Sequence, residues 1–532
     1  MSTTSSRAIP MTVRFMLRTR LVFLTAWLLP LGIFLATTPY PIDSSYPDPK
    51  SLQIVGDGIR ASLGMVVMYG KVPDNLTVAT WTMWENMTWI LILGAVMSIF
   101  QAVYATRNLE ESGITEILHS LGLSPRSLKT VAVILSVITA LLFGFMVFIT
   151  LWSASLSLSG FQLRSCALAG GFATLFSLTF GLVTINCGEA FSTARATRGA
   201  GLGFLALTFA IRVVADIFDI AWLRWLSPFG WRDVIHAFDR DTLWPLAVFF
   251  AVNCVLLLPI VLTRRDLHEQ WLPRRDQVTP RVSGFSFSGL WWRLHGGLFA
   301  WWSVAIIAIG TGFYALTGEM NSLMDSSPRT KELLSLMTTN TDLVSIFAEF
   351  TSPIIGILVC CMVISLVVSF NQHEHHGQVS LLLSTGLSLK KNYTLTWVFS
   401  CIAAVVVTVV TGVIASYCAI ADSRVPDSSF SILVWSIIDL LPAAIACAGI
   451  AAFIIGCWRR LSALVWLPLA GSGLITYFGE LLKFPDWLQK LSVFAWAPHA
   501  VDHYYGAAVL IVIGFSTFAL GLIRFTHRDL AE

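Results

Sequence analysis

The chain has 532 residues; 56% are apolar, 12% are charged, and 34 Lys and Arg against 31 Asp and Glu leave a formal net charge of +3. An ordinary soluble domain carries about 25% charged residues, so this composition, with a mean hydropathy of +0.74, excludes a soluble enzyme, a disordered chain and a nucleic-acid binder with a basic face. The apolar residues come in long unbroken runs rather than the alternation of an outer-membrane barrel, which leaves an all-α polytopic membrane protein.

A helix needs about 20 mostly apolar residues to cross a bilayer core. Twelve segments meet or approach that length: 21–38, 84–104, 131–151, 166–187, 201–218, 243–262, 298–316, 352–370, 395–420, 430–457, 461–478 and 505–525. The first follows Arg14, Arg18 and Arg20, but Thr37-Thr38-Pro39 is a poor cleavage site, so this run is expected to be retained as a span. With the N-terminus inside, 21 Lys and Arg fall on the inner side and 13 on the outer, and counting acids as well gives +11 inside and −7 outside. The positive-inside rule therefore predicts that both termini are cytoplasmic. The nine cysteines lie in spans or at their ends without a C-x-x-C pair; they read as small packing residues, and neither a metal site nor a disulfide framework is expected.

The sequence repeats at an offset of 263 to 264. Residues 263–269 read TRRDLHE and residues 526–532 read THRDLAE; residues 113–130 read GITEILHSLGLSPRSLKT and residues 377–394 read GQVSLLLSTGLSLKKNYT; Asp216 is matched by Glu480. The spacing predicts two parallel six-span halves, 1–262 and 289–532, joined by a basic inner linker, 263–288. Each half is expected to open on an interfacial helix (9–20 and 287–295), to carry an inner helix between its second and third spans, and to carry outer re-entrant helices in 219–242 and 480–503.

The inner segments hold Ile114, Ile117, Leu118 and Leu121 at helical spacing before the turn signal Gly122-Leu123-Ser124-Pro125, with Val379, Leu382, Leu383 and Gly386 in the second copy. Such a helix is either a plain connector or a surface that receives a push from a soluble partner. His373 and His376 can share a helical face, but no further ligands are placed, so a solvated loop is the simpler reading. Asp439, three residues before Pro442 in the tenth span, is expensive to bury and so is a functional candidate or a structural acid. Arg212 and Asp216 can pair at i,i+4. Trp89, Phe100, Phe204 and Phe209 are candidates for an apolar pocket or plain lipid-facing packing. There is no G-x-x-x-x-G-K-[ST], nucleophile elbow or H-E-x-x-H, so no ATP site or catalytic constellation is expected in this chain.

With this plan, Glu110-Glu111-Ser112-Gly113, Leu121-Gly122-Leu123-Ser124-Pro125, Arg212 with Asp216, Ser227-Pro228-Phe229-Gly230-Trp231, and Gly479-Glu480 with Phe484-Pro485-Asp486-Trp487 resemble the permease of type-2 ABC exporters, in the duplicated form of the tetronasin-type antibiotic exporter permeases. His375-His376-Gly377 departs from the acidic residues usual there. The resemblance implies a bacterial plasma-membrane permease with no cofactor of its own. A separate ATPase, two copies per chain, would bring ATP and Mg and dock at Glu110, Glu111, Gly113, Gly122 and Ser124, and at His376, Gly377, Gly386 and Ser388. It also implies a hydrophobic or amphipathic substrate such as an antibiotic, drug or lipid, with membrane lipid as the other partner and no nucleic acid. The alternatives are a proton-coupled drug transporter using Asp439, a lipid flippase, and a membrane enzyme or sensor subunit.

Overall fold

Long apolar stretches with few breakers fold as helices because lipid offers no partner for a free backbone group. The computed structural model describes residues 3–46, 48–60, 63–263, 287–318, 343–375, 389–458, 464–478, 485–496 and 505–526, and among these there is no β-strand. They form two compact units, Met1–Arg281 and Val282–Glu532. Among the described residues, eleven helices are long and apolar enough to cross a membrane. Within the eleventh of the twelve expected segments, 461–463 lie outside the described residues, as do 479–484 just beyond it, and the described part forms the helix Leu467–Phe478.

The first unit begins with α1 (Thr3–Thr37), which runs through Pro10 and Pro30 without a break. The expected interfacial stretch 9–20 is therefore the start of the first span's helix, because no turn signal separates them. The stretch 287–295 is likewise part of one helix, Phe287–Ala315, despite Gly296 and Gly297. Three helices not anticipated from the sequence follow α1: α2 (Pro39–Ser45), α3 (Pro49–Arg60) and α4 (Leu63–Tyr69). Then come α5 (Val78–Val103), a π-helical turn at Tyr104–Asn108, and the short α6 (Leu109–Glu111) and α7 (Ile114–Ser120). Three further spans are α8 (Pro125–Ala154), α9 (Leu163–Ala190) and α10 (Ala194–Ile217). The region of the expected half-helices holds only two turns, α11 (Ala221–Arg224) and α12 (Gly230–Ile235), before α13 (Trp244–Leu262) closes the unit.

Helices in lipid associate by close packing and inter-helical hydrogen bonds rather than by a hydrophobic drive. In the first unit, Ser98 on α5 and Ser177 on α9 share a 2.6 Å hydrogen bond, and Thr179 on α9 donates to Asn253 Oδ1 on α13 at 3.2 Å. Phe172, Phe176, Phe180, Phe229 and Phe249 fill the space between, with Phe176 4.9 Å from both Phe180 and Phe229 by ring centroid. In the second unit the helices Leu441–Cys457 and Tyr505–Thr526 touch along glycines: a Cβ at Gly449 would collide with the Gly514 carbonyl, and one at Gly456 would lie 2.6 Å from the Gly521 carbonyl.

Asp439 lies between the helices Phe430–Ile438 and Leu441–Cys457, not in the middle of a regular helix. Pro442 has no N–H to donate and clashes with the preceding turn, and the chain breaks there. Asp439 is partly exposed at that break, and its backbone N–H donates to the Trp435 carbonyl at 2.9 Å. His376, Gly377, Gly386, Ser388 and Glu480, the linker residues 264–286 and both TRRDLHE-type repeats beyond their first residue lie outside the described residues.

Candidate functional site

The two ends of the first unit carry most of its buried charge. At the end where α5 finishes, α7 is bounded by two glycines in the left-handed region, Gly113 at φ +73° and Gly122 at φ +90°. Gly122 closes α7 as a Schellman turn, since the Leu123 N–H reaches back to the Leu118 carbonyl at 3.1 Å. Ser124 then caps α8 by accepting from the Ser127 N–H at 3.2 Å, with Pro125 as its first residue. The turn signal in the sequence thus ends one helix and starts the next. Of the apolar residues at helical spacing, Leu118 packs into the unit, whereas Ile114, Ile117 and Leu121 are exposed.

The acids beside α7 are engaged inside the chain. Arg107, 1% exposed, donates through Nη1 to Glu110 at 2.6 Å and through Nε to the Gly188 carbonyl at 2.6 Å. The Ala194 N–H, at the start of α10, donates to Glu111 Oε1 at 2.7 Å; a carboxylate there satisfies a free helix donor and suits the helix dipole. Lys129 on α8 donates to Glu189 at 2.7 Å and to the Thr263 carbonyl at 3.2 Å. Together these contacts tie the 104–122 segment to the end of α9 and the start of α10, and α8 to the ends of α9 and α13.

At the other end, Arg212 and Asp216 do pair, at 3.5 Å, both fully buried. The larger role of Arg212 is one the sequence did not signal: it donates to the carbonyls of Val66, Val67 and Met68 at 3.3, 2.9 and 3.3 Å, the open C-terminal end of α4. Arg232 does the same for the Tyr69 carbonyl at 2.6 Å, and also holds Thr88 Oγ1 at 2.6 Å and Asp233 Oδ1 at 2.8 Å. Cations at a helix C-terminus are favoured by its dipole. Gly70 follows at φ +95°, and a Cβ there would stand 2.5 Å from Arg232 Nη2; only glycine fits both the backbone and the space. Arg224 bridges Asp216 at 3.3 Å and Asp219 at 2.7 Å, and Lys71 pairs with Asp219. These hydrogen bonds, from Lys71 first and Arg224 second, hold the exposed Asp219 carboxyl below its usual range. Burial, aided by the Glu85 charge, pushes the Tyr69 phenol above its usual value.

The loop after α12 carries three non-glycine residues at positive φ, His236, Phe238 and Asp241. Asp241 holds it: one carboxylate oxygen accepts from the Phe238 N–H at 3.0 Å and the other from Ser165 Oγ at 2.6 Å, at the start of α9. Strain of this kind persists only where surrounding contacts enforce it. A cavity of about 410 Å³ lies here, lined among others by Lys71, Asp74, Trp84, Arg232, Asp233 and His236. The four aromatic candidates do not line it. Phe209 and Phe204 join the aromatic core on Phe229 and Phe180, at 5.5 Å each; Trp89 lies by Tyr69 at 6.4 Å; and Phe100 lies beneath Arg198.

The serine turn before Trp231 recurs in the second unit. Ser227 Oγ donates to the Thr208 carbonyl at 2.6 Å and accepts from the Phe229 N–H, while Trp231 Nε1 donates to the Trp225 carbonyl. Ser492 Oγ donates to the Ser472 carbonyl at 3.1 Å and accepts from the Phe494 N–H, while Trp496 Nε1 donates to the Lys490 carbonyl. The shared signal, Ser-x-Phe-x-Trp at 227–231 and 492–496, stands in the sequence beneath little other identity.

These features define an all-helical polytopic membrane protein. Residues 286–526 match the family described as the multidrug efflux system permease Rv1217c, C-terminal domain. Over 524 residues the chain is 24% identical to the multidrug efflux system permease protein Rv1217c of Mycobacterium tuberculosis (strain ATCC 25618 / H37Rv), spanning 97% of this chain and 94% of that one. The chain is thus a distant homologue of that permease along nearly its whole length.

Proposed function

We propose that this chain is the membrane permease of an ATP-driven exporter that moves hydrophobic or amphipathic compounds outward across a bacterial plasma membrane. In this reading it has two parallel six-span halves, both termini are cytoplasmic, and a separate ATPase subunit binds ATP and Mg. The homologue's role in multidrug efflux supports the substrate class, and the matching serine turns of the two units support the duplication.

The observation that carries the mechanism is the α7 segment. It offers bare Ile114, Ile117 and Leu121 where a soluble partner would dock, and its neighbouring Glu111 grips the first residue of α10. Arg212, about 27 Å further along α10 by helix rise, holds α4. A push on α7 is thereby passed along one helix to the opposite face of the bilayer. Glu110 and Glu111 act here as positioning residues for α7, and the exposed apolar side chains make the contact.

Vesicles containing the chain and its ATPase provide the test. ATP-dependent movement of a lipophilic dye that survives a proton ionophore is expected. Dye movement driven by a proton gradient without ATP would overturn the proposal and favour proton coupling.

A further inference from the structure

The first turns of α1 carry three arginines, and they differ in what they already hold. Arg20 is committed inward: its Nε donates to Gln101 Oε1 on α5 at 3.0 Å, and its guanidinium stands 3.8 Å from the centre of the Phe23 ring and 4.4 Å from that of Tyr104. Arg14 and Arg18, one turn apart, are exposed and make no hydrogen bond or ion pair among the described residues. Both line a groove of about 380 Å³ whose wall is formed by Val13, Leu17 and Leu21 of α1 and Ile134 of α8. Positions 14, 17, 18 and 21 share one helical face by their i,i+3 and i,i+4 spacing. The lining holds no acidic residue. Further along, α1 and α8 close up, since a Cβ at Gly32 would stand 3.3 Å from Met146 Cγ; the groove is left at the end that carries the arginines.

We infer that this groove holds an anionic phospholipid, with an acyl chain against the apolar wall and the phosphate between the Arg14 and Arg18 guanidinium groups. The two arginines come just before the apolar run that begins at Leu21, the level at which a lipid's phosphate meets its chains. A guanidinium presents paired N–H donors that match phosphate oxygens, and no carboxylate in the lining competes for them. Leu21 is 60% exposed, so the groove opens to the side where lipid lies. A soluble anion would leave the apolar wall bare, and a neutral apolar molecule would leave two cations unpaired. A zwitterionic lipid brings its own cation to its phosphate and is the weaker occupant. The inference needs only that the chain spans a membrane and does not rest on the export reading.

The test uses the full chain in detergent, offered phosphatidylglycerol or phosphatidylcholine with identical chains, and counts retained lipid by native mass spectrometry. Retention of one phosphatidylglycerol in preference to phosphatidylcholine is expected. Arg14→Gln and Arg18→Gln remove exposed, unpaired cations, where folding is least at issue. Each should weaken retention by about fivefold, the effect of one basic side chain at an anionic surface, and the double variant should retain the two lipids equally. Arg195→Gln removes another exposed cation, at the start of α10, and should change nothing; a loss matching that of the double variant would mean diffuse charge attraction and overturn the groove. Equal retention of both lipids by the unaltered chain would overturn it too, as would displacement of the lipid by glycerol 3-phosphate, since a headgroup alone would then suffice. Absent lipid preference with ATP-driven dye export intact would discard the site and leave the export reading. Lipid preference without any ATP-driven export would do the reverse.

Discussion

Arg212 and Arg232 show how a single side chain decides the local structure at the α4 end. A short helix has up to four carbonyls without partners, and in α4 these fall to two buried guanidinium groups that would themselves be costly without partners. The surrounding acids complete the balance. Asp219 is held below its usual carboxylate range by Lys71 and Arg224, and the sign follows: its contribution is fully present above the unfolded value of about 3.9 and is lost as pH falls through the lower folded value. Hydrogen exchange of the 220–225 turn, corrected for intrinsic rate, should therefore stay slow from neutral pH down through the usual carboxylate range and quicken only below it. Asp219→Asn should show the faster exchange at every pH. A turn equally protected in that variant would mean that packing alone holds it. The Arg212–Asp216 pair was legible from i,i+4 spacing; the grip of Arg212 on α4 was not, because those carbonyls lie 144 to 146 residues earlier in the chain and no side-chain pattern advertises a free carbonyl.

At the scale of elements, α10 links two chemically different ends. Its start is capped from the 104–122 segment by Glu111, and its own Thr193 hydroxyl also accepts from the Ala196 N–H at 3.1 Å. The helix would therefore survive loss of the carboxylate while the link between segments weakened. Glu111→Gln should cost only about 1 kcal/mol of stability yet lower the export produced per ATP hydrolysed. Intact coupling at normal expression would remove Glu111 from the transmission path. Helical periodicity identified α7 and its apolar positions correctly as to type, and the structure divides them, half-burying Leu118 and leaving Ile114, Ile117 and Leu121 bare. Periodicity names a face, but which part of that face is covered depends on the neighbours it meets. The same limit explains the missed helices α2, α3 and α4: in a segment rich in Pro, Gly and Asp their amphipathic turns are short, and they persist by packing Ile42, Leu52 and Tyr69 into one cluster with Trp81 and Trp84.

For the whole molecule, the recurrence of one hydrogen-bonded turn in both units makes duplication measurable. Ser227→Ala and Ser492→Ala each remove a buried hydroxyl that accepts one N–H and donates to one carbonyl, and Ser492 also shares a 2.7 Å hydrogen bond with Thr476 Oγ1. Each should destabilise by about 1–3 kcal/mol and by similar amounts, read as matched falls in thermal midpoint. A large loss at one site and none at the other would speak against equivalent units. The sequence by itself determined the class: long apolar runs require helices in lipid, scarce charge marks their ends, and the offset of 263 to 264 residues suggests two copies. These are properties of composition and spacing, which a linear chain carries openly. Tertiary structure alone decided which charges are spent and which remain free. Glu110 and Glu111, which the resemblance to exporter permeases puts forward for a partner contact, also bond within the chain. Asp233, with no motif to mark it, pairs with Arg232 at 2.8 Å through one oxygen, and its other oxygen is buried without a hydrogen bond among the described residues. A charge becomes available only after every nearer partner has been counted, and those partners are set by three-dimensional contact between segments far apart in sequence.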